Sequence, residues 1–116
     1  MNLTRRPRRL RTTAAMRALT AETALRPEQL IQVFFVRDGI SEPQPISSMP
    51  GQYQHTLESL IPAVRQAVEA GIKCIDLFGV PLDDDKDEVG SAAWDDNGIL
   101  NRAIAACRAE FGDEIV

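Results

Sequence analysis

Carboxylate side chains are concentrated in one short segment of this 116-residue chain. The segment Asp83–Glu88 contains five acidic residues together with Lys86. Carboxylates at this density can bind a hard cation such as Mg²⁺ or Ca²⁺, but the spacing lacks the Asp-x-Asp-x-Asp-Gly frame of a calcium loop. Because neighbouring carboxylates repel one another, the favoured interpretation is an exposed, solvated loop.

Few other residues offer chemistry. Lys86 is a candidate nucleophile because a lysine amine can form a Schiff base with a carbonyl substrate, but the surrounding carboxylates favour its ammonium form. His55, the only histidine, has no evident nucleophile or metal partner and is predicted to lie near a helix entrance. Cys74 and Cys107 lack a Cys-x-x-Cys spacing and are predicted to be buried, reduced thiols.

The acidic segment directly follows an almost wholly apolar stretch. Ile72–Val80 is predicted to be a strand buried on both faces, which is typical of a parallel sheet covered by helices. Leu30–Val36 is a similar strand, and Thr56–Ala70 between them has the apolar spacing of an amphipathic helix. This order predicts a parallel β-α-β unit. Ligands meet such sheets at the carboxyl ends of the strands, which is where Asp83–Glu88 lies.

The start of that helix has two solutions. A helix beginning at Thr56 places Pro62 in its interior, where a backbone hydrogen bond is lost, whereas Ser59 as the cap places Pro62 in the first turn. Either start leaves the helix as the crossover between the two strands. The preceding segment, Ile40–Gln54, is rich in Pro, Ser and Gln and is predicted to be irregular.

A second helix and a further strand follow the acidic segment. Asp95, Asp96 and Asn97 are candidate caps for a helix that carries Cys107 and Phe111 on its apolar side. Trp94 is positioned to pack at the entrance of that helix. Glu114–Val116 has the pattern of the beginning of a third strand.

Charge divides the chain into a basic arm, residues 1–29, and an acidic body, residues 30–116. The first 17 residues contain six arginines and no acid, which leaves −10 for the rest of a chain whose net charge is −4. The arm contains a short predicted helix, Ala14–Thr23, that must dock on something to be stable. Without an aromatic residue for base stacking, the arm is expected to pack on an acidic neighbouring subunit or to be a partly ordered tail, not to bind nucleic acid.

No stretch approaches the roughly 18 apolar residues of a membrane span, so no membrane partner is expected. The start of the chain is rich in arginine, as in organelle transit peptides, but lacks the apolar segment of a secretory signal. The predicted location is the cytoplasm.

Three blocks, in order and in register, resemble the porphobilinogen synthase family, also called delta-aminolevulinic acid dehydratase. They are Arg6–Arg11 (RPRRLR), Ile46–Gly51 (ISSMPG) and Leu77–Ala93, which contains LFGVP, then KD, then GSAA. One residue and one short segment depart from the family pattern. Val33 stands where the family strand has proline, and Gln52–Gln54 lacks the arginine that closely follows Pro-Gly in many members.

The resemblance implies an α/β fold, the (β/α)8 TIM barrel. Because a complete barrel needs about 250 residues, the chain is expected to be an amino-terminal fragment with the arm, the first two βα units and the start of the third strand. The family implies a hydro-lyase (dehydratase) that condenses two molecules of 5-aminolevulinate into porphobilinogen in haem and other tetrapyrrole biosynthesis. Members use lysine Schiff bases and Zn²⁺ or Mg²⁺, and assemble as homo-octamers in which the arm wraps a neighbouring subunit.

The resemblance places no catalytic lysine and no metal ligand on this chain, because neither Lys73 nor Lys86 matches a Schiff-base position. Phe78 alone is carried over, as a substrate-binding residue whose ring lines the pocket, with simple barrel core as the other interpretation. The chain by itself is therefore expected to be inactive. Because two or three parallel strands leave an open edge and half a core, it is also expected to be aggregation-prone or molten. The alternatives are a small stand-alone α/β binding or assembly module that docks through its basic arm, and a phosphate-binding barrel enzyme of another kind.

Overall fold

The computed structural model describes residues 8–116 of the chain. Arg5, Arg6 and Pro7 of the basic arm lie outside the described residues. The helices are α1 (Ala14–Leu19), α2 (Leu57–Glu69) and α3 (Ile99–Phe111), and the strands are β1 (Ile31–Arg37), β2 (Gln44–Pro45), β3 (Tyr53–His55) and β4 (Cys74–Val80). Short 3₁₀ turns lie at Arg9–Arg11, Pro27–Gln29, Asp83–Asp85, Ser91–Ala93 and Gly112–Glu114.

β1 and β4 are the two long strands, and they pair in parallel. Their register runs from Ile31 beside Cys74 to Arg37 beside Val80. α2 connects them, because a parallel pair needs a crossover and cannot be joined by a tight turn. The predicted strand-helix-strand unit is confirmed, with β1 displaced by one residue from the predicted Leu30–Val36.

Most of the segment predicted to be irregular, Ile40–Gln54, is irregular, but two short strands that were not predicted lie in it. β3 pairs in parallel with the carboxyl end of β1, and β2 pairs antiparallel with β3, so the strand order is β2-β3-β1-β4. A tight turn joins β2 to β3, in which Met49 N donates to Ile46 O at 2.9 Å. Gly51 has a φ of 82°, which explains the glycine after Pro50. The strands are too short and polar for their own sequence to predict them.

The sheet is covered on one face only. Phe34 and Val36 of β1 point toward α2 and α3 and pack with Leu60, Val64 and other buried residues. The remaining core residues are Ala67, Ile99, Ala103, Cys107, Phe111 and Ile115. Each fully buried aliphatic side chain of this kind stabilises the fold by about 1.5–3 kcal/mol. Packing within this cluster holds both helices on the sheet.

The opposite face of the sheet, called here the open face, carries Val33 and Phe35 of β1 with Asp76 and Phe78 of β4. These residues are neighbours in the parallel register, and side chains of paired residues project to the same side. Phe78 is 48% exposed. The prediction that β4 is buried on both faces is therefore wrong, because nothing among residues 8–116 covers this face.

α2 begins at Leu57 with Thr56 as its cap, which decides between the two predicted starts. Thr56 Oγ1 accepts a hydrogen bond from Ser59 N at 3.0 Å, and Ser59 Oγ accepts one from Thr56 N at 3.0 Å. This reciprocal capping box stabilises the helix end. Pro62 lies inside the helix at an exposed position, where one backbone hydrogen bond is lost. This loss is tolerated because the cap and the apolar face of the helix stabilise the start at Leu57.

α3 is capped by Gly98, and the predicted side-chain caps are not used. Asp95 Oδ1 accepts from Asn97 N at 2.9 Å, so this carboxylate orders the preceding turn. Asn101 Nδ2 donates to Asp95 O at 2.8 Å and holds that turn on the helix. Trp94 is 71% exposed and does not close the helix entrance as predicted.

α2 and α3 are also joined across their exposed edges. Arg65 forms an ion pair with Glu110, and its guanidinium carbon lies 5.2 Å from the centre of the Phe111 ring. Because both charged side chains are nearly half exposed, the ion pair contributes no more than about 1 kcal/mol. Apolar packing, not this pair, holds the helices together.

Backbone groups near Val116 extend the sheet on the free side of β4. Val116 N donates to Lys73 O at 2.9 Å, and Ile75 N donates to Val116 O at 2.8 Å. This alternation is the hydrogen-bond pattern of a parallel ladder. It agrees with the predicted third strand, although Glu114 belongs to the 3₁₀ turn Gly112–Glu114 and not to the extended segment.

The described part of the arm projects from the body. α1 is capped by Thr13 and ends at Leu19, earlier than the predicted Thr23. From residue 8 to residue 30 every residue is exposed except Met16, which is half-buried, and the molecule measures 65 × 36 × 26 Å. None of the helices described between residues 8 and 116 is long and apolar enough to cross a membrane.

We expect the 116-residue chain alone to self-associate through its open face, because Ile31 and Phe78 are 62% and 48% exposed there and strand-rich apolar surfaces aggregate. The double variant Ile31→Lys/Phe78→Lys should be mainly monomeric at concentrations at which the unaltered chain is not. Sedimentation velocity measures the fraction of monomer in each sample. The matched control is Val89→Lys/Trp94→Lys, which places the same charges at exposed positions away from the sheet and should leave self-association unchanged. A monomeric unaltered chain would contradict the prediction.

Candidate functional site

The carboxyl ends of β1 and β4 lie side by side at one edge of the sheet. Asp38 N donates to Val80 O at 3.0 Å, which continues the ladder one step beyond the strands. Gly39, with φ of 71°, lies against the side chain of Leu82, and a β-carbon built on this glycine would be 2.6 Å from Leu82 Cδ2. The loops that follow the two strands are therefore in direct contact.

The acidic segment begins as a 3₁₀ turn, Asp83–Asp85. Lys86 Nζ donates to Asp83 Oδ1 at 2.5 Å, and both side chains are exposed. This hydrogen bond and the charge of Lys86 lower the pKa of the Asp83 carboxyl. The prediction of a solvated loop is confirmed, since every residue from Leu82 to Gly90 is exposed. Lys86 is paired at the surface and is not in a site suited to Schiff-base chemistry.

Asp87 has a local role that the sequence analysis missed. Its Oδ1 accepts from Ser91 N at 2.9 Å and from Val89 N at 3.2 Å, while its Oδ2 accepts from Ser91 Oγ at 2.5 Å. These bonds lower the pKa of Asp87, the Ser91 hydroxyl being the largest cause. Asp87 thereby orders the turn in which Gly90 has φ of 67°. The available sequence signal is the aspartate before the turn, because aspartate side chains often accept hydrogen bonds from backbone N–H groups just beyond them.

A cleft of about 740 Å³ lies between this loop and the start of α3. Its walls include a single lysine, Lys86, and six carboxylates: Asp38, Asp84, Asp85, Asp87, Asp95 and Asp96. Within residues 8–116, no group of three or more His, Cys, Asp or Glu side chains is arranged to hold a metal ion. The carboxylates of the cleft therefore do not form a metal centre, and cation binding by the acidic segment is not supported.

Phe78, the predicted substrate-binding residue, lies on the open face and not in the acidic cleft. Its ring centre is 5.6 Å from that of Phe35, with the ring planes inclined by 33°. The next residue, Gly79, lies against α3, where an added β-carbon would be 2.7 Å from Leu100 Cβ. The glycine allows the helix to approach the strand closely, and Phe78 projects to the other side.

Arg37 and Gln54 form a polar contact on the open face that the sequence analysis did not identify. Arg37 Nη1 donates to Gln54 Oε1 at 2.9 Å. Gln54 reaches this position because β3 pairs with β1 and sets Gln54 beside Phe35. No sequence signal indicated the contact, because it depends on the strand pairing that the sequence did not predict.

His55 lies at the entrance of α2, as predicted. Its Nδ1 is 3.3 Å from Ser59 Oγ, and its ring meets that of Phe34 edge-on at a centroid distance of 6.0 Å. Burial lowers the pKa of His55. The ring packs at the helix start, and Ser59 is already engaged in the capping box, so the pair is structural.

Both cysteines are free thiols, in agreement with the prediction. Cys107 is buried in the core, and burial raises the pKa of its thiol. Cys74 is only half-buried, so the prediction of two buried thiols is half right. Cys74 pairs with Ile31 and lies on the open face.

Helices on one face of a parallel sheet, with polar loops at the strand carboxyl ends, are an α/β arrangement that is found in barrel enzymes. A sequence profile of the family described as delta-aminolevulinic acid dehydratase matches residues 4–116. The chain therefore belongs to the delta-aminolevulinic acid dehydratase family, which confirms the resemblance drawn from the three sequence blocks.

Individual relatives agree. The chain is 54% identical over 111 residues to the delta-aminolevulinic acid dehydratase of Streptomyces coelicolor, an alignment that covers 96% of this chain and 34% of the relative. The same figures hold for the Mycobacterium tuberculosis enzyme. A crystal structure of the Toxoplasma gondii dehydratase (porphobilinogen synthase), in complex with the reaction product porphobilinogen, superposes with a TM-score of 0.87 at 37% identity. It is matched over 96% of this chain and 31% of that one.

The chain thus spans about a third of the length of the curated relatives it matches. These likenesses run through the arm, the sheet and both helices alike, since they cover 96% of the chain. They favour the dehydratase interpretation over a stand-alone binding module.

Folding stability should depend on His55 between pH 7 and pH 5. Because burial lowers its pKa in the folded chain, the unfolded chain binds the proton more readily, and the stability due to the neutral ring is lost as pH falls below about 6.5. The free energy of unfolding, measured with urea in the Ile31→Lys/Phe78→Lys background, should decrease over this range. His55→Gln should reduce the slope. An unchanged slope would contradict the assignment, since Asp83 and Asp87 titrate below this window.

Asp87 should hold the turn that follows it. Replacing Asp87 with Ala removes the acceptor of the Val89 and Ser91 amides, so hydrogen exchange at these two amides should become faster by roughly tenfold. Asp84→Ala is the matched control, because it deletes another exposed carboxylate of the same loop and should leave both exchange rates unchanged. Equal acceleration in the two variants would indicate a general charge effect instead.

Proposed function

We propose that this chain supplies the amino-terminal third of a 5-aminolevulinate dehydratase (porphobilinogen synthase). The complete enzyme is a hydro-lyase that condenses two molecules of 5-aminolevulinate into porphobilinogen, with loss of two waters, in tetrapyrrole biosynthesis. The observation that carries the proposal is the superposition, at a TM-score of 0.87, on a dehydratase structure that holds the reaction product. We place the enzyme in the cytoplasm.

In this proposal the sheet is the beginning of a (β/α)8 barrel, and the open face is its interior. The parallel β1–β4 pair, its crossover helix and the parallel bonding of Val116 to the free side of β4 support this arrangement. A barrel needs strands that continue on that side and helices that stay on the outer face. The exposed Phe78 is then covered by strands that the remaining two thirds of the enzyme provide.

Phe78 is proposed to line the substrate pocket. Its ring lies on the proposed interior, two residues before the end of β4, and it is 48% exposed in the described part of the chain. Active sites of these barrels form where strands end. A ring at this level is therefore available to contact a bound substrate.

The catalytic amines and metal ligands are proposed to lie in the rest of the enzyme. Lys86 is paired with Asp83, and Lys73 lies 3.9 Å from Glu114 with both side chains about half exposed. Neither lysine sits in the apolar surroundings that favour a neutral amine. The family implies Zn²⁺ or Mg²⁺, but the described residues do not form a site that fits such an ion.

The arm is proposed to dock on a neighbouring subunit of a homo-octamer. Leu10, Leu19 and Leu25 are 60%, 80% and 84% exposed, in a segment that projects from the body. Apolar side chains exposed in this way stabilise a structure only when another surface covers them. The basic charge of the arm suits an acidic body such as that of a second copy, and it requires no nucleic acid or membrane partner.

A chimera tests the proposal. In the Streptomyces coelicolor dehydratase, the 111-residue segment that matches this chain is replaced with the matching residues of this chain. We expect the purified chimera to form porphobilinogen from 5-aminolevulinate, because the transplanted segment is 54% identical and should complete the barrel. The 116-residue chain alone and the remaining two thirds alone are the controls, and neither should form product. A folded chimera without activity, or activity of the chain alone, would contradict the proposal.

A further inference from the structure

We propose that Phe35 is a positioning residue for the substrate, acting through Phe78. Its ring holds the Phe78 ring in one orientation, so that the exposed part of the Phe78 ring meets the substrate. This inference rests on the proposed function, in which Phe78 lines the pocket, and adds a residue that does not itself contact the reacting atoms.

The two rings are placed together by the strand register. Phe35 of β1 and Phe78 of β4 are directly paired in the parallel ladder, so both side chains leave the sheet at the same level on the open face. Their centroids are 5.6 Å apart and their planes are inclined by 33°, within the range of favourable aromatic pairs. Phe35 is half-buried, whereas Phe78 is 48% exposed.

The backbone beneath Phe78 has little freedom. β4 is bonded to β1 along its whole length, and the close approach of Gly79 to Leu100 prevents the strand from moving toward α3. The remaining freedom of Phe78 is rotation of its side chain. An exposed side chain samples several rotamers, and a neighbouring ring that packs on it selects among them.

The open-face residues that flank Phe78 on its own strand carry no ring to pack on it. Asp76, two residues earlier on β4, is exposed and polar, and Val80, two residues later, is a short aliphatic side chain. Phe35 is the only aromatic partner of Phe78 within residues 8–116. Loss of the Phe35 ring should therefore leave the Phe78 backbone in place and allow the Phe78 side chain to adopt several orientations.

Phe34 provides a matched control on the same strand. It is adjacent to Phe35 in sequence but points to the helix face, where it is 8% exposed and meets His55. Replacing either phenylalanine with leucine removes the same atoms. Only Phe35 contacts Phe78, so an effect that travels through Phe78 must appear in one variant and not in the other.

The experiment uses the chimera described above and measures KM and kcat for 5-aminolevulinate together with Tm. Phe35→Leu should raise KM by roughly 2- to 12-fold, the range expected for loss of one aromatic pair, with kcat changed by less than about 2-fold. Phe34→Leu should lower Tm and leave KM unchanged. Phe35→Tyr keeps the ring and should retain the KM of the unaltered chimera. Phe35→Met serves as the second variant where Phe35→Leu does not fold.

A double-mutant cycle with Phe78→Leu decides the mechanism. If Phe35 acts through Phe78, Phe35→Leu should have no further effect on KM in the Phe78→Leu background. Additive effects on KM, or effects of Phe35→Leu on Tm alone, overturn the inference. Failure of the proposed function is distinguished from failure of this inference, because the former abolishes product formation by the unaltered chimera and the latter leaves it intact.

Discussion

The ladder between β1 and β4 runs in parallel from Ile31 beside Cys74 to Arg37 beside Val80. Because both strands point the same way, their carboxyl ends and the loops that follow meet at one edge of the sheet. The same pairing gives every residue of the two strands a fixed side. Phe34 and Leu77 face the helices, whereas Phe35 and Phe78 face the open side. A slip of one residue would exchange these two sets.

The covered face supplies the stability, and the open face carries the candidate function. Leu60 and Val64 of α2, with Ala103 and Cys107 of α3, complete a continuous apolar core against β1. That core is sufficient to hold two helices on one side of the sheet. It leaves apolar side chains such as Ile31 and Phe78 uncovered, which in a soluble protein usually marks a surface that another part of the protein occupies. In the proposed enzyme, strands of the remaining two thirds cover this surface.

The most densely charged part of the chain forms an exposed loop. Asp83–Glu88 attracts attention because it follows β4 and contains five carboxylates. In the structure two of these side chains order the loop itself: Asp83 pairs with Lys86, and Asp87 accepts three hydrogen bonds from the next turn. The proposed pocket residue, Phe78, has no charge and was indicated only by its place in a family block.

The sequence by itself determined the strand-helix-strand unit, the second helix and the family. Apolar periodicity indicates which residues are buried, as with Leu60 and Val64 of α2. Blocks such as LFGVP and ISSMPG are continuous in sequence, so they can be recognised without knowledge of the fold. Only the tertiary structure decided which face of β4 is covered, that β3 joins β1, and that Thr56 caps α2 despite Pro62. Each of these depends on partners distant in sequence or on a balance between a cap and a proline. Apolar content alone cannot say whether a strand has helices on one side or two, because that is a property of what packs against it.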